Sequence, residues 1–126
     1  MKHIVVRNTS QTPIYQQIYD QLASQIMNGD LKSDQLLPSI RTAAKELRVS
    51  IITIKKTWEL LENQGLIYTI QGKGSYIKRH TQIDLDDKKI ELVKDVFLEA
   101  ISSVKSYNLS KEKLMEIISV VYDEVN

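Results

Sequence analysis

Apolar residues recur along this chain at intervals of three and four, and a turn-forming residue stands wherever the interval breaks. Ile14, Tyr15, Ile18, Leu22 and Ile26 share one helical face, with Pro13 suited to the first turn and Gly29 to the end. "NGDLKSDQLLP" then reads as a loop closed by Pro38. Ser39 can cap a short second helix bearing Ala43, Ala44 and Leu47. After the brief break "LRVS", Ser50 can cap a third helix that reaches about Gln64. The spacing predicts that this helix turns Ile51, Ile54, Trp58 and Leu61 inward and that Tyr15 belongs to the same core. Gly65 fits the position just past the third helix.

The period then changes. "LIYTIQGKGSYIKR" carries β-forming residues on both sides of "QGKG", which predicts a hairpin with a glycine-rich tip. Helix, helix, tight turn, helix and hairpin make the order of a winged helix-turn-helix. Its most specific part is the short second turn, which sets one helix across another and projects the third outward.

Beyond the hairpin two more helices are predicted. Asp84, Asp86 and Asp87 are expected in the first turn of one, where the helix dipole favours negative charge. Ile90, Val93, Phe97, Ala100, Ile101 and Val104 mark its apolar face. "SYNLS" supplies a turn, Ser110 a cap, and Leu114, Ile117, Ile118, Val121 and Val125 the stripe of the last helix. Two helices cannot enclose such stripes alone. They must pack on each other, on the N-terminal part or on a second subunit, and the last is favoured. The expected architecture is mainly α. Residues 1–80 form a winged helix-turn-helix of three helices plus a β-hairpin wing, and residues 81–126 a C-terminal two-helix dimerisation hairpin.

Charge sharpens this division. The net charge is only +1 over 126 residues, yet residues 1–80 hold 11 Lys/Arg against 6 Asp/Glu, and residues 81–126 hold 6 against 10. A basic first part and an acidic second part point to nucleic-acid binding by one and another task for the other. Cysteine is absent, which excludes disulfides and thiolate metal sites. No apolar run nears the roughly 20 residues that cross a bilayer and no secretory signal opens the sequence, so no membrane partner and a cytoplasmic location are expected.

Signals for catalysis fail. "GKGS" lacks the first glycine of a phosphate-binding loop, with Ile67 in its place, and its setting is strand-turn-strand. Ser75 with Lys78 and Ser102 with Lys105 match S-x-x-K but bring no companion motif. His3 and His80 are solitary. No enzyme activity, cofactor or metal is expected. The third helix offers groove chemistry instead. Ser50, Ile52 and Thr53 lie at its start, from which such helices meet base edges, and Thr53 can hydrogen-bond a base or lay its methyl on thymine. Lys56 is placed for the phosphate backbone or for water. At the wing tip, Gln71, Gly72 and Lys73 allow close backbone approach and a point charge for the minor groove or its phosphates.

The run from Pro13 to Ile77 resembles the DNA-binding domain of the GntR family of bacterial transcription regulators. The resemblance is carried in order by "IYQQI", by Gly29-x-Leu31, "LPSIR", the "VS" before the third helix, and "GLI" followed by "GKGSYI". The short remainder resembles the YtrA-like branch, whose members are dimeric repressors frequently linked to transporter operons. The resemblance implies DNA contacts for Ser39 and Arg41 in the family's "PSxR" positions, and for Lys55, where an arginine often stands. It also marks Ile51 as a departure, since the family usually places a DNA-contacting arginine there.

The function these features imply is sequence-specific DNA binding, as a dimeric repressor on a double-stranded, near-palindromic operator. A winged-helix protein-interaction module that does not read DNA is the alternative, because such folds are reused and a net +5 is modest for a DNA binder. A small-molecule effector stays open; the tail is too short to wrap a pocket unaided.

Overall fold

The computed structural model describes residues 3–125, and the chain divides into two compact units, Met1–Lys88 and Lys89–Asn126. The elements are α1 (Ile14–Met27), α2 (Ile40–Leu47), α3 (Ile51–Asn63), β1 (Ile67–Ile70), β2 (Gly74–Ile77), α4 (Gln82–Val104) and α5 (Lys111–Glu124). A 3₁₀ turn, Lys105–Tyr107, follows α4. This is the predicted mainly helical, winged helix-turn-helix order. Among the described residues no helix is long and apolar enough to cross a membrane.

The first unit closes around α1 and α3. Ile18, Leu22 and Ile26 of α1 meet the interior together with Ile54 and Leu61 of α3, each at most 1% exposed. α1 buries more than its predicted face, because Tyr19, Ala23 and Met27 are buried as well. Its N-cap is Pro13, whose carbonyl accepts from the amides of Gln16 and Gln17, both at 3.1 Å. α3 ends with Gly65 at φ +73 and the Leu66 amide donating to the Leu61 carbonyl at 2.9 Å, a turn that lets Leu66 and Ile67 enter the core. The tight turn between α2 and α3 runs through Arg48 in the left-handed region, φ +57, and the Val49 amide donates to the Ala44 carbonyl at 3.0 Å.

The wing has more strand than the sequence pattern shows. β1 and β2 pair antiparallel with Ile67 opposite Ile77 and Tyr68 opposite Tyr76, whose rings stack with centroids 5.4 Å apart. The stretch before α2, expected to be plain loop, lies against β2. Asp34 N–H donates to Ile77 O at 2.7 Å, Ile77 N–H to Gln35 O at 2.9 Å and Leu37 N–H to Ser75 O at 2.8 Å. Only the fold brings these segments together, so no local period could announce the pairing.

α4 starts earlier than its acidic cluster suggests. Thr81 and Asp84 cap it reciprocally: Asp84 N–H donates to Thr81 Oγ1 at 3.1 Å and Thr81 N–H to Asp84 Oδ2 at 3.0 Å. Asp84 therefore lies in the first turn, whereas Asp86 and Asp87 fall beyond it. Leu85 is buried in the first unit, but the predicted apolar faces of the last two helices are open. Ile90, Val93, Phe97 and Ile101 on α4, and Ile117, Ile118 and Val121 on α5, are each at least 40% exposed.

Candidate nucleic-acid interface

Three pieces of the first unit present side chains of the expected kind: the start of α2, the outer side of α3 and the tip of the wing. Ser39 is the N-cap of α2; its Oγ accepts from Thr42 N–H at 3.1 Å and donates to Thr42 Oγ1 at 2.9 Å. Arg41 stands in the first turn, exposed and without an ion pair among the described residues. One shallow groove of ≈ 490 Å³ joins this helix start to the wing, with Ser39 and Arg41 on one side and Gln71, Gly72 and Lys73 on the other.

On α3 the phase is set by Ile54, Thr57, Trp58 and Leu61, all buried. Ile52, Lys55, Lys56 and Glu59 therefore occupy the outer side, and Ile52 is 78% exposed. Ile51 is not part of the core as its spacing suggested; it is 45% exposed. Side chains on a helix lean toward its N-terminus, so a residue in the very first turn leans past the body that packs on the rest. Thr57, which the spacing passed over, is wholly buried; its Oγ1 donates to Thr53 O at 2.9 Å and Tyr15 O at 3.3 Å.

The first-turn hydroxyls of α3 already have partners. Ser50 Oγ accepts from Thr53 N–H at 3.1 Å and shares a 2.8 Å hydrogen bond with Thr53 Oγ1. Thr53 is half-buried. Lys56 is also engaged: its Nζ lies 4.0 Å from the centre of the Tyr15 ring, a cation–π contact. Tyr15, expected in the core, is half-buried and carries this surface cation instead. Lys55 is exposed and makes no hydrogen bond or ion pair among the described residues.

At the wing tip, Lys73 N–H donates to Ile70 O at 2.9 Å and closes a turn whose third residue, Gly72, has φ +82. That backbone region favours glycine, so Gly72 serves the turn whatever else it does. Gly74 has φ +134, and a Cβ there would meet Leu36 Cδ1 at 3.0 Å. Gln71, Gly72 and Lys73 are all exposed. Across the hairpin, Thr69 Oγ1 and Ser75 Oγ share a 2.8 Å hydrogen bond.

The base of the wing is tied down by charge. Arg79 donates to Asp34 Oδ2 through Nε at 3.0 Å and Nη2 at 2.6 Å, and Tyr68 OH donates to Asp34 Oδ1 at 3.3 Å. The Arg79 hydrogen bonds hold the Asp34 carboxyl below its ordinary pKa. Desolvation, with the Asp34 charge beside it, raises that of Tyr68. Partial burial lowers the His80 imidazole from its ordinary value, while its backbone N–H donates to Ser33 Oγ at 3.1 Å. Tyr15 and Asp34 are thus the supporting residues that sequence reasoning did not connect to the site. Their partners lie 41 and 45 positions away in the chain.

Comparison with known proteins agrees with this geometry. The sequence profile described as "Bacterial regulatory proteins, gntR family" matches residues 14–77. The HTH-type transcriptional repressor YtrA of Bacillus subtilis is 31% identical over 116 residues, covering 92% of this chain and 89% of the relative. Among solved structures, YtrA from Sulfolobus acidocaldarius, a GntR-family transcription factor, superposes with a TM-score of 0.57 at 32% identity, covering 98% of this chain and 99% of that one. The DNA-binding domain of AraR in complex with operator ORX1 superposes with a TM-score of 0.54 at 29% identity, over 61% of this chain and 99% of that one.

Proposed function

The chain belongs to the GntR family of bacterial regulatory proteins, and from that premise we propose that it is a cytoplasmic, dimeric transcriptional repressor of a near-palindromic operator. Residues 1–80 are its DNA-binding domain and residues 81–126 its dimerisation hairpin. The observation that carries this reading is the set of exposed cations, without an ion pair among the described residues, on three elements of the first unit: Arg41 at the start of α2, Lys55 on the outer side of α3 and Lys73 at the wing tip. Cations held at fixed places around a projecting helix suit phosphates on either side of a major groove.

Each site residue then has a task. Ser39 and Arg41 meet the phosphate backbone, the helix start offering free N–H groups and the guanidinium a bidentate donor. Ile51, Ile52 and Thr53 face base edges, with Ser50 fixing the helix tip. Lys55 and Lys56 flank them, Lys56 from its place over the Tyr15 ring. Gln71, Gly72 and Lys73 bring the wing to the adjacent minor groove or its phosphates.

Dimerisation is supported by the open apolar faces of α4 and α5, since contiguous exposed apolar residues mark interaction surfaces. No residue from Lys89 to Val125 is buried, so a small effector bound there needs further walls, from a second copy of the chain or from the DNA-binding domain.

The test is fluorescence anisotropy on a duplex enriched from random-sequence DNA with the full-length protein. Lys55→Ala should weaken binding and reduce the slope of log K against log salt by about 1. Failure to enrich any sequence, or binding without salt dependence, overturns the reading in favour of a winged-helix interaction module.

A further inference from the structure

The tip of α3 is unusual for a surface meant to meet polar base edges. Its two most forward side chains are isoleucines, Ile51 at 45% and Ile52 at 78% exposure. The polar groups beside them are partly engaged, since the Ser50 and Thr53 hydroxyls bond each other at 2.8 Å and one of their two protons is used in that bond. Lys56 is drawn to the Tyr15 ring. The largest exposed side chains of this tip are therefore apolar, with one cation, Lys55, on the next turn from both isoleucines.

Isoleucine carries no donor or acceptor, so it cannot distinguish bases by their hydrogen-bonding pattern. The one apolar group displayed in the major groove is the thymine 5-methyl. A cation one turn behind would hold such a contact against the nearby phosphates, which fits Lys55. Resting on the DNA-binding reading above, we propose that Ile51 and Ile52 are specificity-determining residues that select thymine at adjacent half-site positions through its 5-methyl group. β-Branched side chains suit the task because they keep few rotamers in a helix and lose little freedom on contact.

The experiment replaces thymine by deoxyuridine, one position at a time, in a duplex enriched from random-sequence DNA by the full-length protein. Uridine keeps every hydrogen-bonding group and lacks only the methyl. Anisotropy titrations should show affinity falling about three- to fivefold at one or two positions in each half-site, the scale of one buried methyl. Ile52→Ala and Ile51→Ala, both at exposed positions and so expected to fold, should each erase the uridine penalty at one of those positions. Uniform affinity across all uridine duplexes overturns the methyl readout and leaves DNA binding intact. So does a penalty that persists unchanged in both alanine variants. Failure to enrich any sequence overturns the DNA-binding reading, and this inference with it.

Discussion

The helices α3 and α5 are built alike. They have 13 and 14 residues, and each opens on a serine whose Oγ accepts a 3.1 Å hydrogen bond from the amide three positions on. Both carry aliphatic residues at helical spacing. Yet α3 buries Ile54, Thr57, Trp58 and Leu61, while α5 buries nothing. Helix formation and helix burial are thus separate matters. A cap and a periodic stripe suffice to predict a helix, but the stripe becomes core only where the chain supplies a partner, as α1 does for α3. Under the proposed function, the partner of α5 is a second copy.

The widest test of that difference is to charge the open stripe. Ile118→Asp combined with Val121→Asp should convert the proposed dimer to monomer in sedimentation. Affinity for a duplex bearing two half-sites should fall by about 10²- to 10⁴-fold as avidity is lost. A variant that stays dimeric would place the subunit interface elsewhere.

Next comes truncation on matched helices. Ile54→Ala, at a fully buried position, should cost about 2–5 kcal/mol in urea denaturation. Ile117→Ala, at a position 40% exposed in the single chain, should stay within about 0.5 kcal/mol at protein concentrations low enough for the monomer. Equal losses in the two variants would mean that α5 is buried within one chain.

The smallest expected effect concerns the caps. Ser50→Ala and Ser110→Ala remove the same 3.1 Å bond and should each cost about 1 kcal/mol. Thermal melts of the two variants check this. A clearly larger loss at Ser50 would show that its 2.8 Å bond with the Thr53 hydroxyl adds to the stability of the helix tip.

Much of this molecule was legible along the chain. Ser39, Ser50 and Ser110 all act as the caps their positions announced, and Gly65 and Gly72 take up positive φ where the turns were read. Ile54, Trp58 and Leu61 lie in the core. The faults were of a consistent kind. Ile51 has the azimuth of a core residue but not the position along the helix. Tyr15 has core spacing, yet half of it remains open beneath Lys56. The acidic run after the wing marks a helix start, but Thr81 rather than the centre of that run decides where it lies.

Sequence alone therefore determined which segments are helical, where they stop, where the hairpin turns and which part carries positive charge. Those outcomes depend on interactions within about four residues, or on composition, and both can be read from a string. The tertiary structure decided which stripes are covered. It also decided that Asp34 anchors the wing through Arg79, and that Lys56 rests on Tyr15. These contacts join residues more than 40 positions apart, so they exist only once α1, α3 and the wing have packed together.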